Sequence, residues 1–267
     1  MDLLSVIYYG VIQGLTEFLP VSSSGHLALL PKLLKISDPG VVFDLAMHLG
    51  TALSIICYFR KDLLSIFKEV LGLLDKNNTK NAHTYFTINL ILASAMTFVL
   101  VLLTKKFAFM YGRTTNMIAF NLIFFGVLMW FFDHRGIKEN TNFMNNKTDY
   151  KRSLWIGAIQ AMAIFPGVSR SGSTLTISRA LGLSRGEATR FSFLLSLPII
   201  IGGFIFKLPE FFSGKVQFDL VLCAFGILIA FVVGLLTIHY FLKFIGNLGL
   251  WIFSLYRIIL GIIIFYY

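Results

Sequence analysis

Five long stretches of this chain contain no Asp, Glu, Lys or Arg: Phe86–Thr104, Thr114–Phe132, Ser153–Ser169, Phe191–Phe206 and Val221–Leu242. Each approaches or exceeds the ~17–25 apolar residues that a helix needs to cross a hydrocarbon core. A bilayer offers the backbone no hydrogen-bond partners, so such stretches must satisfy their own N–H and C=O groups as helices. Only 13% of the residues are charged, against ~25% in a soluble domain. The stretches recur over the whole length, which predicts one all-α integral membrane domain, polytopic, over 1–267. The formal net charge of +10 would suggest nucleic acid in a soluble chain. Here the basic residues sit between apolar stretches and read as topology signals, so nucleic acid is not an expected partner.

Cys57 and Cys223 lie in apolar runs and read as small buried hydrophobes. Asp2, with no basic segment around it, reads as the start of mature sequence and not of a signal peptide. Apolar segments fall near 3–19, 22–35, 43–59, 85–104, 114–132, 153–166, 173–183, 189–206, 217–240 and 248–266. Leu27–Leu34 and Leu175–Leu183 are too short to span, and each follows a helix-breaking, hydroxyl-rich turn. Irregular backbone at that depth is tolerated only where protein or a cavity surrounds it. The expected architecture is therefore two re-entrant helix-turn-helix hairpins, over 1–35 and 153–183, plus six transmembrane helices. Arg60–His83 and Asp133–Arg152 carry five Lys/Arg each, against three in Lys105–Arg113 and two in Lys207–Lys215. That bias assigns the first pair of loops to the cytoplasm. Asn140–Asn146 reads as a solvated connector, and Arg179, Arg185, Glu187 and Arg190 as an interfacial one.

At an offset of 147 residues the chain resembles itself, with Gly10, Ile12 and Gln13 falling on Gly157, Ile159 and Gln160. Val21, Ser22, Ser24 and Gly25 likewise fall on Val168, Ser169, Ser171 and Gly172. An odd number of spans between the copies makes them enter from opposite faces. The organisation expected is an inverted repeat, 1–132 and 153–267 about a cytoplasmic connector 133–152, with hairpin tips meeting near mid-membrane.

The tips gather Gln13, Glu17, Ser22, Ser23, Ser24, Gly25 and His26 from the first copy. The second supplies Ser169, Arg170, Ser171, Gly172, Ser173 and Thr174. An ionisable side chain at this depth costs at least ~2.5–3.5 kcal/mol, which marks a site. Glu17 and Arg170 can neutralise each other, and a plain buried ion pair needs neither the serines nor the glycines around them. Anion binding uses both. Each tip leads into a short helix whose free N–H groups and positive dipole end favour phosphate. Gly25 and Gly172 permit close approach or positive φ, and Arg170 offers a planar fork. Gln13 and Glu17, four apart, share a helix face; Ser23 and His26, three apart at a helix start, are near enough to share a proton. Asp44 and His48 are also four apart and close enough in sequence to the first hairpin to support its residues, but read first as a structural hydrogen bond.

Gln13-Gly-Leu-Thr-Glu17-Phe-Leu-Pro-Val-Ser-Ser-Ser-Gly-His26 and Pro166-Gly-Val-Ser-Arg170-Ser-Gly-Ser-Thr174 together resemble the paired signatures of the bacterial undecaprenyl-diphosphate phosphatases, or bacitracin-resistance proteins. The resemblance implies a multi-pass enzyme of the bacterial plasma membrane with its site open to the extracytoplasmic side. Its expected reaction removes the terminal phosphate of undecaprenyl diphosphate, which recycles the carrier for cell-wall synthesis. It implies the hairpin-and-six-span fold, Glu17, Ser23, His26 and Arg170 as catalytic residues, and a divalent cation, magnesium or calcium, at Glu17. A lipid diphosphate, the bilayer and a second copy in a homodimer are the implied partners. The family pattern often has Glu where this chain has Gln13, which leaves one carboxylate for a metal.

The chemistry these residues suggest is phosphoryl transfer to Ser23 or to a water beside it, with His26 or Glu17 taking the proton. A phosphohistidine at His26 is the other form of that reaction. A transporter or flippase for a polyprenyl phosphate is the competing class, since inverted repeats with broken helices also build alternating-access carriers.

Overall fold

The computed structural model describes residues 2–34, 36, 39–75, 79–111, 114–135, 149–212 and 219–266. Eleven α-helices occur among them: α1 (Leu3–Thr16), α2 (Ser23–Leu34), α3 (Val41–Tyr58), α4 (Arg60–Gly72), α5 (Ala82–Tyr111), α6 (Thr115–Arg135), α7 (Tyr150–Ala161), α8 (Arg170–Ala180), α9 (Arg185–Phe212), α10 (Leu220–Leu248) and α11 (Trp251–Tyr266). A 3-10 turn, Met162–Ile164, follows α7. Four helices are long and apolar enough to cross a membrane, namely Ala82–Ala108, Thr115–Arg135, Arg185–Phe206 and Leu220–Leu248. The protein is a multi-pass membrane protein.

Caps explain several helix starts. Asp2 accepts the Ser5 N–H at 3.0 Å before α1, and Asp219 accepts the N–H groups of Val221 and Leu222 before α10. α10 ends at Gly249, whose φ of 71° closes it in the left-handed region.

Three expectations need correction. Lys105–Arg113 and Lys207–Lys215 are partly helical, because α5 continues to Tyr111 and α9 to Phe212. A lysine on a helix can extend its stem along apolar surface and remain helical, as Lys105 does with its Nζ 4.8 Å from the Phe206 ring centre. Arg60–His83 holds α4, whose Leu64, Phe67 and Leu71 form an exposed apolar row. Cys57 is exposed on α3 and not buried. The connector Asn140–Asn146 lies outside the described residues.

Arg179, Arg185 and Arg190, expected in an interfacial connector, form ion pairs at one end of the helices. Asp133, at the end of α6, receives Arg179 Nε at 3.0 Å, Arg185 Nε at 2.9 Å and the Leu250 N–H at 2.9 Å. That one carboxylate ties α6 to the end of α8 and the starts of α9 and α11. Arg190 Nε donates to Asp62 at 3.1 Å, joining α9 to α4. Trp130, Trp155 and Trp251, all the tryptophans of the chain, are more than half exposed near this end. Exposed tryptophans beside a belt of charge mark a membrane–water interface.

α1 packs along α10, and α7 along α5. Each pair relies on a glycine at equivalent positions: a Cβ on Gly10 would lie 2.9 Å from Ile229 Cβ, and one on Gly157 only 2.2 Å from Ala93 O. Small residues at these crossings replace the hydrophobic drive that lipid does not supply. Phe18 lies against Gly234, midway along α10, while the Gly157 carbonyl accepts from Thr97 Oγ1 at 2.9 Å, midway along α5.

Candidate active site

The chain leaves α1 at Glu17 and enters α2 at Ser23; it leaves the turn after α7 at Ser169 and enters α8 at Arg170. Ser22 and Ser169, equivalent in the repeat, are the non-glycine residues with positive φ among those described, at 76° and 69°. The strained conformation thus sits on the capping serines and not on Gly25 or Gly172. Each serine caps its own helix: Ser22 Oγ accepts the Gly25 N–H at 3.3 Å, and Ser169 Oγ the Gly172 N–H at 3.1 Å. Backbone held in a sparse region at a polar turn is a common mark of function.

Glu17 is 7% exposed and bound from several directions. Arg170 Nη2 donates to its Oε1 at 2.7 Å. Its Oε2 receives Ser23 Oγ at 2.7 Å and Gln13 Nε2 at 3.0 Å, with His48 Nε2 at 3.4 Å. The His48 Nδ1–H donates to Asp44 O at 2.7 Å, so the lone pair or second proton of that ring is aimed at Glu17. A cavity of about 400 Å³ opens beside this group. Of the sequence-predicted residues, Glu17, Ser23, Ser24, Ser169, Arg170 and Ser171 line it.

The others stand behind its wall. Gln13 is fully buried and supports Glu17. Ser22 and Gly25 belong to the α2 cap, and Gly172 to that of α8. Ser173 and Thr174 donate back to Arg170 O at 3.0 and 2.9 Å, and Thr174 also pairs with Ser192 at 2.6 Å. These contacts shape the tips without reaching the cavity.

His26 departs from expectation. Its Nδ1–H donates to Ser22 O at 2.8 Å, and its Nε2 is 2.6 Å from the Tyr256 hydroxyl, the two rings being stacked. Both ring nitrogens are committed, and Ser23 directs its hydroxyl to Glu17. The spacing of three placed Ser23 and His26 on adjacent helix positions, but the carbonyl four residues back competes for the imidazole and wins.

Four polar residues of the cavity wall were not expected as site members: Thr16, His48, Thr97 and Gln160. His48 was legible only as half of an Asp44 pair. Gln160 falls on Gln13 in the repeat, and that equivalence was the available signal.

Among the described residues a cation at this site would find one carboxylate, Glu17, and the unpartnered amide oxygens of Gln13 and Gln160. Among the described residues Glu17 is the sole carboxylate lining the cavity, and its oxygens accept from Arg170, Ser23 and Gln13. Among the described residues no group of three or more His, Cys, Asp or Glu could hold a metal. A hard cation such as magnesium needs several free oxygen ligands, and here the cationic guanidinium of Arg170 already occupies one side of the carboxylate.

A family model described as bacitracin resistance protein BacA matches residues 6–263. The chain belongs to the BacA family. The match runs from within α1 to within α11 and takes in both tips, so the BacA assignment concerns the whole assembly that builds the cavity. Membership places this BacA chain among membrane proteins linked to bacitracin resistance.

Proposed function

We propose that this protein is a plasma-membrane phosphatase that hydrolyses undecaprenyl diphosphate to undecaprenyl phosphate and inorganic phosphate, so recycling the carrier and conferring bacitracin resistance. The observation that carries the reading is the chain of contacts Ser23–Glu17–Arg170, 2.7 Å at each step, between two helix N-termini in one cavity. A hydroxyl bonded to a carboxylate is a nucleophile beside its base. Arg170 and the free N–H groups opening α2 and α8 face the position where phosphoryl charge develops.

In this mechanism Ser23 Oγ attacks the terminal phosphorus while its proton passes to Glu17 Oε2. The bond to the bridging oxygen breaks, and the lipid monophosphate leaves against Arg170. The proton on Glu17 leaves with the lipid monophosphate, and the regenerated carboxylate deprotonates a water that cleaves the phosphoserine to inorganic phosphate, Glu17 returning that proton to Ser23 Oγ. Glu17 and not His26 is the base, because Ser23 contacts Glu17.

The fold proposed with this chemistry has six spans, α3, α5, α6, α9, α10 and α11, and two re-entrant hairpins, α1–α2 and α7–α8, as inverted repeats. Supporting it is the first tip, whose Phe18 lies against Gly234, midway along α10. The cavity is lined by Leu45, Val101 and Ile199 from the halves of α3, α5 and α9 remote from the charged end, which supports an extracytoplasmic opening.

The test is phosphate release from a polyprenyl diphosphate by the purified chain in detergent, where no membrane exists to cross. Release that disappears in Ser23→Ala and Arg170→Ala proteins is the expected result. A folded wild-type protein that binds the lipid and releases nothing would instead be a carrier.

A further inference from the structure

Arg257 lies midway along α11 and is fully buried, at 0% exposure. Among the described residues no carboxylate pairs with it; every hydrogen bond it makes goes to a main-chain carbonyl. Nη2 donates to Gly167 O at 2.9 Å and Val168 O at 2.8 Å, and Nη1 to Pro20 O at 3.3 Å. Longer contacts of 3.4 Å reach Asn121 O and Leu122 O on α6. Pro20 and Gly167 are equivalent at the repeat offset of 147. One side chain therefore grips the same carbonyl in both tips, from the side away from the cavity.

Two further observations show that the tips are built around it. A Cβ on Gly172 would lie 2.4 Å from Arg257 Nη1. Gly172 is inside α8, where alanine is ordinarily the better residue, so glycine there leaves room for the guanidinium. A trans peptide unit also directs its C=O and the next N–H in opposite senses. With Val168 O turned to Arg257, the Ser169 N–H is turned from it, and Ser169 lines the cavity.

Charge gives the arrangement a second consequence. Glu17 balances Arg170 at 2.7 Å, whereas Arg257, reaching both tips from α11, has no counter-charge among the described residues. A buried charge without a partner is costly, and an anion bound in the cavity on the other side of the tips would compensate it.

We infer that Arg257 is a positioning residue of this site: it fixes the two tips at the separation where Ser23 and Arg170 engage one diphosphate, and its charge is compensated when that diphosphate binds. The inference rests on the phosphatase reading above. Arginine is required because its planar fork can hold several carbonyls in fixed directions, which a lysine ammonium cannot.

The experiment compares wild type, Arg257→Met, Arg257→Lys, Gly172→Ala and the Gly172→Ala/Arg257→Met double variant as full-length chains in detergent. Phosphate release from a polyprenyl diphosphate is read per folded molecule, with stabilisation by inorganic pyrophosphate read as a thermal shift. In Arg257→Met, kcat falls about 100-fold, the scale set by misplacing reacting groups by an ångström, while KM moves less. Arg257→Lys recovers only part of that loss. Gly172→Ala lowers kcat in the presence of Arg257 but adds nothing in the double variant, the non-additivity of two residues acting through one contact.

A purely structural arginine would lower Tm and yield and leave kcat of the folded molecules near wild type; that result, or additive losses, overturns the inference. Should Arg257→Met not fold, Gly172→Ala decides alone, and unchanged kcat overturns it. If wild type releases no phosphate, the phosphatase reading fails separately. The clamp is then judged by pyrophosphate, which must stabilise wild type and not Arg257→Met or, where that does not fold, Gly172→Ala.

Discussion

Glu17 is the residue on which four elements converge: Gln13 from α1, Ser23 from α2, His48 from α3 and Arg170 from α8. Replacing it by glutamine keeps much of the hydrogen bonding and removes the base. Phosphate release should fall by about 100- to 10,000-fold in Glu17→Gln, the range of general-base catalysis. His26→Gln should fall far less, since its ring faces Ser22 O and Tyr256; equal losses in the two variants would return His26 to the chemistry. A titration of the diphosphate-free protein with magnesium should reveal no site that Glu17→Gln abolishes, because both carboxylate oxygens are already bound. Glu17 and Arg170 were legible in the sequence, since a charge in an apolar hairpin is too costly to sit there without a function or a partner. Arg257 met the same criterion and was overlooked, as the lone charged residue of the apolar run 248–266. Its partners are carbonyls, which leave no trace in residue identity, so only the criterion of depth could have found it. His48 was obscured by its proximity in sequence to Asp44, whose carbonyl does accept from the ring while the other nitrogen faces the site.

The helix pairs depend on small residues more than on apolar bulk. At Gly157 the Ala93 carbonyl occupies the place a Cβ would take, whereas a Cβ on Gly186 meets nothing within 4 Å. Gly157→Ala must push α7 off α5 and should destabilise by about 1–3 kcal/mol, as overpacking does. Gly186→Ala, inside α9, should be neutral or stabilising by up to about 1 kcal/mol. Thermal unfolding of the pair measures the contrast, and equal Tm values would mean that α5 and α7 do not cross at this depth. The 147-residue repeat made the two hairpins legible before any helix was seen, because the turn residues recur with the apolar context around them. α4 was not, for counting its basic residues as loop charges hid a helical row of Leu64, Phe67 and Leu71. An exposed apolar row with charges beside it suits a helix lying in the membrane interface. A spin label at Phe67→Cys, with Cys57 and Cys223 replaced by alanine, should show the oxygen accessibility of a lipid-facing site.

Across the molecule, charge, tryptophan and cavity together give a polarity to the fold. The ion pairs of Asp62, Asp133 and Asp149 and the exposed Trp130, Trp155 and Trp251 share one end, while the cavity draws its apolar wall from the other halves of α3, α5 and α9. The loops richest in Lys and Arg, 60–83 and 133–152, begin or end at that charged end, which the positive-inside bias assigns to the cytoplasm. A substrate head would then reach Ser23 from outside, and its apolar tail would stay in the bilayer beside the open side of the cavity. Ser24 lines that cavity and is exposed, so Ser24→Cys is the position to test. In intact cells of a chain lacking its native cysteines, a membrane-impermeant thiol reagent should label Ser24→Cys, and added pyrophosphate should slow the labelling. Ser65→Cys, on α4 at the charged end, should react only after permeabilisation. The reverse pattern would turn the whole fold over in the membrane and make the cavity a cytoplasmic one. Labelling of Ser24→Cys from both sides of sealed vesicles would instead show a site that alternates its access, as a carrier requires.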